Sequence, residues 1–243
     1  MSEFSRRSIL KATGALGAVT ILGAAASSRA AAPAATPRPP PLFFNREEAA
    51  FIAAAVARLI PADEQWGGAL EANVANYIDL QLAGAWGAGE RLYRSGPWVQ
   101  GTPSQGYQLP FTPAELFRKA LAAINNGLAA TPFAKLGPTE QDAYLRRLET
   151  GSSDLGGVPS DVFFTHLWEL TVEGFFSDPV YGGNRDMLSW RMVGFPGAFA
   201  SYYELVDQHG VKFDRPPTSL AEDANRHVHI DPNIPAYLPA TSE

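Results

Sequence analysis

Apolar residues recur at helical spacing in one segment of this chain after another, and no segment keeps the alternation of a half-buried strand. The clearest segment follows Asn45, which forms a helix-capping pattern with Glu48 three residues later. Pro61 ends that segment, because proline cannot continue a helix. A second capping pattern, with proline at the first helical position, begins at Thr112. These patterns predict a mostly α fold built as a single helical domain.

Three further helices follow from the same periodicity. One covers about residues 69–83 and places Leu70 on its buried side. Another opens at Pro138 and Glu140. The third runs from Asp161 to about Phe176 with Ser160 as its cap, and it is apolar on several sides. A helix that is apolar all round is typical of a buried position, so this one is expected to be central.

Four parts are predicted along the chain. Residues 1–32 form an export signal, residues 33–41 an Ala/Pro-rich leader, and residues 42–210 the helical domain. Residues 211–243 are rich in proline and are predicted to form an extended C-terminal tail. Within the domain, residues 84–111 alternate glycines with aromatic residues, which predicts a long loop of the kind that carries function or contacts a partner.

The export signal contains two adjacent arginines, Arg6 and Arg7, ahead of the apolar stretch 12–26. A basic start, a short apolar core and small residues after it are typical of a secretory signal, and the arginine pair indicates the twin-arginine route to the periplasm. That route carries proteins that are already folded, often because they hold a cofactor. Cleavage of the signal and its retention as a membrane anchor both remain open.

No cofactor motif accompanies this signal. The chain has no cysteine, which excludes haem attachment through C-x-x-C-H and cysteine-held iron–sulfur clusters. The glycine fingerprints of nucleotide-binding loops and the G-x-S-x-G nucleophile motif are also absent. A route for cofactor-loaded proteins, used by a chain without a cofactor motif, predicts that a partner carries the cofactor.

The charge balance narrows the range of partners. Removing residues 1–32 takes away four basic side chains and one acidic one, which leaves 15 basic and 24 acidic side chains and a net charge of −9. Such a surface repels nucleic acid and anionic lipid, so neither is an expected partner.

Two groups of residues are weak metal-site candidates. His166, Glu169 and Glu173 lie three and four residues apart, so they share one helix face. Di-iron bundles use Glu-x-x-His, whereas the order here is His-x-x-Glu and no second such helix completes the set. The alternative is a polar helix face that bonds to neighbouring loops.

The second group lies in the tail, where His227, His229 and Asp231 occupy every second position. On a strand, that spacing would place all three side chains on one side. Weak or fortuitous surface binding of metal is the preferred interpretation there.

One long segment runs from Glu173 to Ala198 and reads EGFFSDPVYGGNRDMLSWRMVGFPGA. It resembles the signature of the gluconate 2-dehydrogenase subunit 3 family. Shorter pieces fit the same family, among them residues 59–63, 77–82, 96–98, 105–109 and 148–151.

The resemblance implies a small, non-catalytic subunit of a periplasmic flavin-dependent dehydrogenase that oxidises sugars, sugar acids or polyols. It implies that FAD and the active site lie on a large subunit, that a c-type cytochrome carrying haem c accepts the electrons, and that this chain holds no cofactor and no catalytic residue. It also implies that the small subunit takes the large one through the twin-arginine translocase and supports its folding. An independent periplasmic metal-binding enzyme and a sugar- or polyol-binding module are the alternatives.

The signature has two possible roles, which are to shape the domain itself or to contact the partner. Tight turns at Asp178-Pro179 and Gly182-Gly183 are expected to fold the chain back, with Arg185 and Asp186 fixing the turn or reaching the large subunit. Trp190 and Phe195 are expected to pack behind it. The full set of candidate signature and interface residues is Phe175, Phe176, Asp178, Pro179, Tyr181, Gly182, Gly183, Asn184, Arg185, Asp186, Trp190, Gly194, Phe195, Pro196 and Gly197.

Overall fold

A computed structural model describes residues 40–90, 92–99, 101–105, 108–198, 205–211 and 215–221. Across those residues the chain forms six α-helices and no strand, which confirms the mostly α class. The helices are α1 (Arg46–Leu59), α2 (Val74–Ala83), α3 (Pro113–Gly127), α4 (Pro138–Glu149), α5 (Ser160–Phe176) and α6 (Leu188–Val193). None of the helices in this part of the chain is long and apolar enough to cross a membrane.

Several predicted features lie outside the described residues. They are the signal with Arg6 and Arg7, the leader up to residue 39, and the tail beyond residue 221 with His227 and His229. The predicted part boundaries stay predictions.

The predicted helix starts at α1 and α3 are confirmed. Asn45 Oδ1 accepts hydrogen bonds of 2.9 Å from the backbone N–H groups of Glu47 and Glu48, and Glu48 returns one to the N–H of Asn45. At α3 the Thr112 hydroxyl accepts from the N–H of Glu115 at 3.1 Å, while the Glu115 carboxylate accepts from the N–H of Thr112 at 2.8 Å. Each pair satisfies backbone donors that have no partner inside the helix.

The start of α2 was predicted wrongly. The helix begins at Val74 rather than near residue 69, because Asn73 takes a left-handed conformation with φ at 62°. Residues ahead of Asn73 form turns, and Leu70 is half exposed rather than buried. Asn tolerates the left-handed region better than most residues, which is why the break falls there.

The predicted cap of α5 is also wrong. Ser160 is the first helical residue, and the cap position is held by Pro159 without a side-chain hydrogen bond. The Ser160 hydroxyl instead accepts from the N–H of Ser153 at 3.3 Å and so ties the preceding loop to the helix.

Helix α5 lies at the centre of the domain, as predicted, and packs against α1, α2, α3, α4 and α6. Phe163 on α5 meets the rings of Phe117 on α3 and Phe51 on α1, with ring centroids 5.2 and 6.4 Å apart. At the periphery, the Arg58 guanidinium on α1 binds both carboxylate oxygens of Asp142 on α4 at 2.7 and 2.8 Å.

The segment that enters α1 is held against α2 by one buried carboxylate. Asp79, 2% exposed, accepts backbone hydrogen bonds of 2.7, 3.0 and 2.9 Å from Leu42, Phe43 and Phe44. Arg118 on α3 adds a hydrogen bond to the Phe43 carbonyl at 2.6 Å, pairs with Glu48, and lies 4.0 Å from the Phe43 ring centroid. The first described residues of the chain are therefore anchored to two helices.

Candidate functional site

The signature segment begins where α5 ends. Phe175 is buried in the core, whereas Phe176 next to it is 41% exposed. Asp178 then caps a short 3-10 turn, Pro179–Tyr181, by accepting from the N–H of Val180 at 3.0 Å. Gly182 follows with φ at 89°, a left-handed conformation that favours glycine. The predicted reversal of the chain at these two points is confirmed.

Asn184 fixes this reversal. Its side chain is fully buried, and its Nδ2 donates to the Ser177 carbonyl at 2.8 Å. Its Oδ1 accepts from the backbone N–H and the hydroxyl of Ser189 at 2.9 and 2.8 Å. Its own N–H donates to the Gly174 carbonyl at 2.9 Å. One side chain thus joins the end of α5 to the start of α6.

Helix α2 supports the same turn from the other side. The side-chain amides of Asn73 and Asn76 both donate to the Gly182 carbonyl, at 3.1 and 2.9 Å. The backbone N–H of Arg185 donates to the Ala72 carbonyl at 3.1 Å. Sequence reasoning missed the two asparagines and Asp79. Their signal is three polar residues at a spacing of three on a helix that is otherwise apolar, where a buried polar group must have a partner.

Close packing explains two glycines of the segment. A Cβ on Gly174 would lie 2.7 Å from the Tyr77 ring, so helices α5 and α2 approach each other closely at this point. A Cβ on Gly183 would overlap the carbonyl oxygen of Gly174. Gly174 is therefore required for the close approach of α5 to the Tyr77 ring. Gly183 is required for the close approach of its backbone to the backbone of Gly174.

Trp190 and Phe195 pack behind the turn, as predicted. The Trp190 indole donates to the Phe176 carbonyl at 2.8 Å, and its ring meets Phe195 edge-on with centroids 5.2 Å apart. Gly194, with φ at 72°, ends α6 between them. Asp186 is exposed and also left-handed, with φ at 57°.

A piece of the C-terminal region lies against the signature. Thr218 donates to the Pro196 carbonyl at 3.1 Å and accepts from the N–H of Ala198 at 2.7 Å, beside the buried Gly197. The Asp178 carboxylate accepts from the Ser219 hydroxyl at 2.5 Å and from the N–H of Leu220 at 2.8 Å. Asp178 therefore both caps its own turn and holds a segment some forty residues further along.

Most of the signature is thus used inside the domain. Three of its aromatic side chains nevertheless face solvent, namely Phe176, Tyr181 and Phe195, which are 41%, 53% and 46% exposed. The structure places these three rings where a partner could reach them.

His166, Glu169 and Glu173 share one side of α5, as their spacing predicted. His166 Nδ1 lies 3.6 Å from Glu169 Oε2, and the Tyr77 hydroxyl donates to Glu173 at 3.4 Å. The Trp86 ring meets the His166 ring edge-on at 6.4 Å. Within the described ranges, no three His, Cys, Asp or Glu side chains are grouped so that they could hold a metal ion. The contacts are those of a polar helix face bonded to its neighbours.

Burial shifts the pKa values of this face. Desolvation lowers the pKa of His166 below its usual 6.5, and the Glu169 carboxylate partly opposes that shift. Desolvation raises the pKa of Glu173, the Tyr77 hydrogen bond partly opposes that rise, and the Glu169 carboxylate adds a smaller rise.

These shifts predict a fall in stability on mild acidification. Between the lowered pKa of folded His166 and 6.5 the unfolded chain binds more protons, so the free energy of unfolding falls as the pH drops through that window. Glu173 acts in the opposite sense just above its usual 4.5, because its folded form binds more protons there.

The measurement is urea unfolding at about pH 7 and about pH 5.5, together with an NMR titration of the His166 ring. His166→Gln should lose less stability than the wild type between the two pH values, and Glu169→Gln should lower the pKa of His166 further. Equal losses in the wild type and His166→Gln would contradict the burial-driven shift.

Comparison with known families identifies the class of protein as a subunit of a dehydrogenase complex. A model of the family described as gluconate 2-dehydrogenase subunit 3 matches residues 46–197, which span α1 to α6 and the signature. The chain belongs to the gluconate 2-dehydrogenase subunit 3 family. Comparisons with curated proteins and with solved structures gave no significant match. Membership implies association with the large subunit of a dehydrogenase.

Proposed function

We propose that this chain is the non-catalytic small subunit of a periplasmic FAD-dependent dehydrogenase that oxidises a sugar, sugar acid or polyol. It binds the FAD-bearing large subunit, takes it through the twin-arginine route and supports its folding. A c-type cytochrome subunit accepts the electrons. The single observation that carries this proposal is the family match, which covers all six helices that the structure describes.

The positions of the signature residues in the domain support the proposal. Its polar residues, led by Asn184 and Asp178, hydrogen-bond within the domain, so they stabilise the fold rather than perform chemistry. Its outward-facing members are aromatic, and aromatic residues are enriched at protein interfaces. A rigid scaffold that presents aromatic rings suits a binding subunit better than an enzyme.

The test is co-expression of the tagged full chain with the flavoprotein and cytochrome genes that neighbour its own gene. The affinity-purified material is expected to be yellow, to show a flavin absorbance spectrum, to contain a larger chain, and to oxidise a polyol or aldonate with an artificial electron acceptor. A colourless chain without a larger partner would contradict the proposal.

The export role has its own control. Replacing Arg6 and Arg7 together with lysine is expected to leave the complex and its flavin in the cytoplasm, because the twin-arginine signal depends on the arginine pair. Fractionation followed by the same dye-linked assay measures the distribution. Unchanged periplasmic activity in the double variant would mean that the large subunit is exported by other means.

A sugar- or polyol-binding module is the second candidate, favoured by one cavity of about 320 Å³. Its lining includes Tyr93, Trp98, Gln105 and Gln108, which combine aromatic faces with amide groups. Calorimetric titration of the isolated chain with gluconate, glucose and sorbitol tests this candidate, and binding that is lost in Trp98→Ala would support it.

A further inference from the structure

The outward side of α5 carries large apolar side chains beside its exposed polar residues, although the helix already packs against five others. Trp168 and Phe176 are 43% and 41% exposed and lie eight residues apart, with half-buried Val172 midway between them. A spacing of four places all three on one side of the helix. We call Trp168, Val172 and Phe176 the outer face of α5.

The core does not need these side chains. The inward side of α5 is filled by Phe163, Leu167, Leu170 and Phe175, all of them buried. The solvent side of an ordinary surface helix is polar, whereas the solvent side of α5 includes two large aromatic rings that are more than 40% exposed. Large aromatic rings left in water lose the free energy that burial would provide. The composition of α5 thus fits a helix that is covered on this side as well.

One further exposed ring follows α6. The Trp190 indole donates to the Phe176 carbonyl, and the Trp190 ring meets the exposed ring of Phe195 edge-on. Trp190, which is 6% exposed, thus links the backbone at Phe176 to Phe195.

The charged side chains that α5 itself places beside its outer face are acidic, while α6 carries the exposed Arg191. Glu169 and Glu173 line one side of the outer face, and α5 contains no lysine or arginine. A second copy of this chain would bring two acidic rims together, and like charges facing each other across an interface are costly. A different protein, with an apolar ridge flanked by basic side chains, fits better.

We propose that the outer face of α5, extended by Phe195, is the surface on which the FAD-bearing large subunit docks, with Glu169 and Glu173 facing basic side chains of that subunit. This inference rests on the proposed function, because it requires the large subunit to be the partner.

The experiment uses the full chain co-expressed with the large subunit. Trp168→Asp places a charge on the outer face and is expected to lower the amount of captured flavoprotein by more than about tenfold, as buried aromatic residues dominate interface affinity. Trp98→Asp changes a ring that is 40% exposed in the loop between α2 and α3, and it tests that loop as the alternative surface. Leu70→Asp is the control, since Leu70 is 49% exposed in the turns ahead of α2 and belongs to neither surface. It is expected to leave capture within about twofold of the wild type.

A second variant tests the acidic side chains beside the outer face without altering its apolar residues. Glu169→Lys is expected to lower capture by at least about threefold at low salt and by less at high salt, because rim charges act through screened electrostatics. Circular dichroism and thermal unfolding of each purified chain check that it is folded. Should Trp168→Asp fail to fold, Trp168→Ala and Glu169→Lys decide the outcome.

The outcomes separate the two proposals. No flavoprotein with the wild-type chain would overturn the proposed function and this inference together. Normal capture by the wild type and by folded Trp168→Asp and Glu169→Lys would overturn the docking surface alone. Loss of capture in Trp98→Asp but not in Trp168→Asp would move the interface to the loop. A wild-type homodimer that Trp168→Asp dissolves, without effect on capture, would assign the face to a second copy and overturn the inference.

Discussion

Replacing Asn184 with alanine is expected to lower the free energy of unfolding by about 4 kcal/mol, a large part of the total stability of an ordinary domain. The change leaves the partly buried Ser177 carbonyl and both buried Ser189 donors without the partner they have in the structure. Each unsatisfied buried group costs about 1–3 kcal/mol. Alanine must also adopt the left-handed conformation of Asn184, with φ at 41°, at a cost of about 1 kcal/mol.

Two variants separate these contributions. Asn184→Gly removes the same hydrogen bonds, but glycine adopts the left-handed conformation without strain. It should therefore be about 1 kcal/mol more stable than Asn184→Ala. Asp186→Ala changes a neighbour that is equally left-handed but exposed, and it should cost only the conformational part. Urea unfolding of the isolated chain measures all three. A loss in Asn184→Ala no larger than that in Asp186→Ala would show that the hydrogen bonds contribute little.

Replacing Asp79 with alanine is expected to lower the free energy of unfolding by about 3 kcal/mol. Three backbone N–H groups donate to this buried carboxylate, and hydrogen bonds to a charged group are about twice as strong as neutral ones. The loss of stability is limited because the backbone N–H groups of residues 42–44 can hydrogen-bond to water instead. Phe44 then leaves the core, which adds to the cost. In a domain of this size the midpoint of thermal unfolding should fall by about 6–12 °C.

The control for Asp79 is another carboxylate that binds backbone donors. Asp63 accepts from the N–H groups of Gln65 and Trp66, both at 2.7 Å, but it is exposed. Water can replace it, so Asp63→Ala should change stability far less. Limited proteolysis adds a local measurement, since Asp79→Ala should speed cleavage within residues 42–45. Equal thermal shifts in the two variants would mean that burial of Asp79 adds nothing.

Local residue chemistry was sufficient to predict the helices and most of their ends. The pattern of Asn45 with Glu48 and the Thr112–Glu115 box predicted two helix starts, because capping involves residues only three apart. The central position of α5 followed from its apolar composition, since such a helix has to be buried.

The errors fall where distant contacts replace local ones. Helix α2 starts late because Asn73 turns its side chain to Gly182, more than a hundred residues away, and adopts a left-handed backbone. Ser160 looked like a cap, but its hydroxyl binds Ser153 in the preceding loop. Neither partner is visible from spacing within a helix.

The candidate site was likewise predicted in part. The segment from residue 173 to 198 stood out from its residues alone, and the family match covers nearly all of it. That the Asn184 side chain hydrogen-bonds across the turn was not foreseen. Nor was the selection of Phe176, Tyr181 and Phe195 as the exposed aromatics among many that are buried.

Residue patterns along the chain were enough to predict the helical class, the capped starts of α1 and α3 and the family, because these depend on residues that are neighbours along the chain. Packing of distant segments fixed which polar residues hold the turn and which apolar residues face outward. Asp79, Asn76 and Asn184 each bond to backbone groups that packing brings near them. Which side of α5 remains open depends on where five other helices pack, and that arrangement exists only in the folded chain.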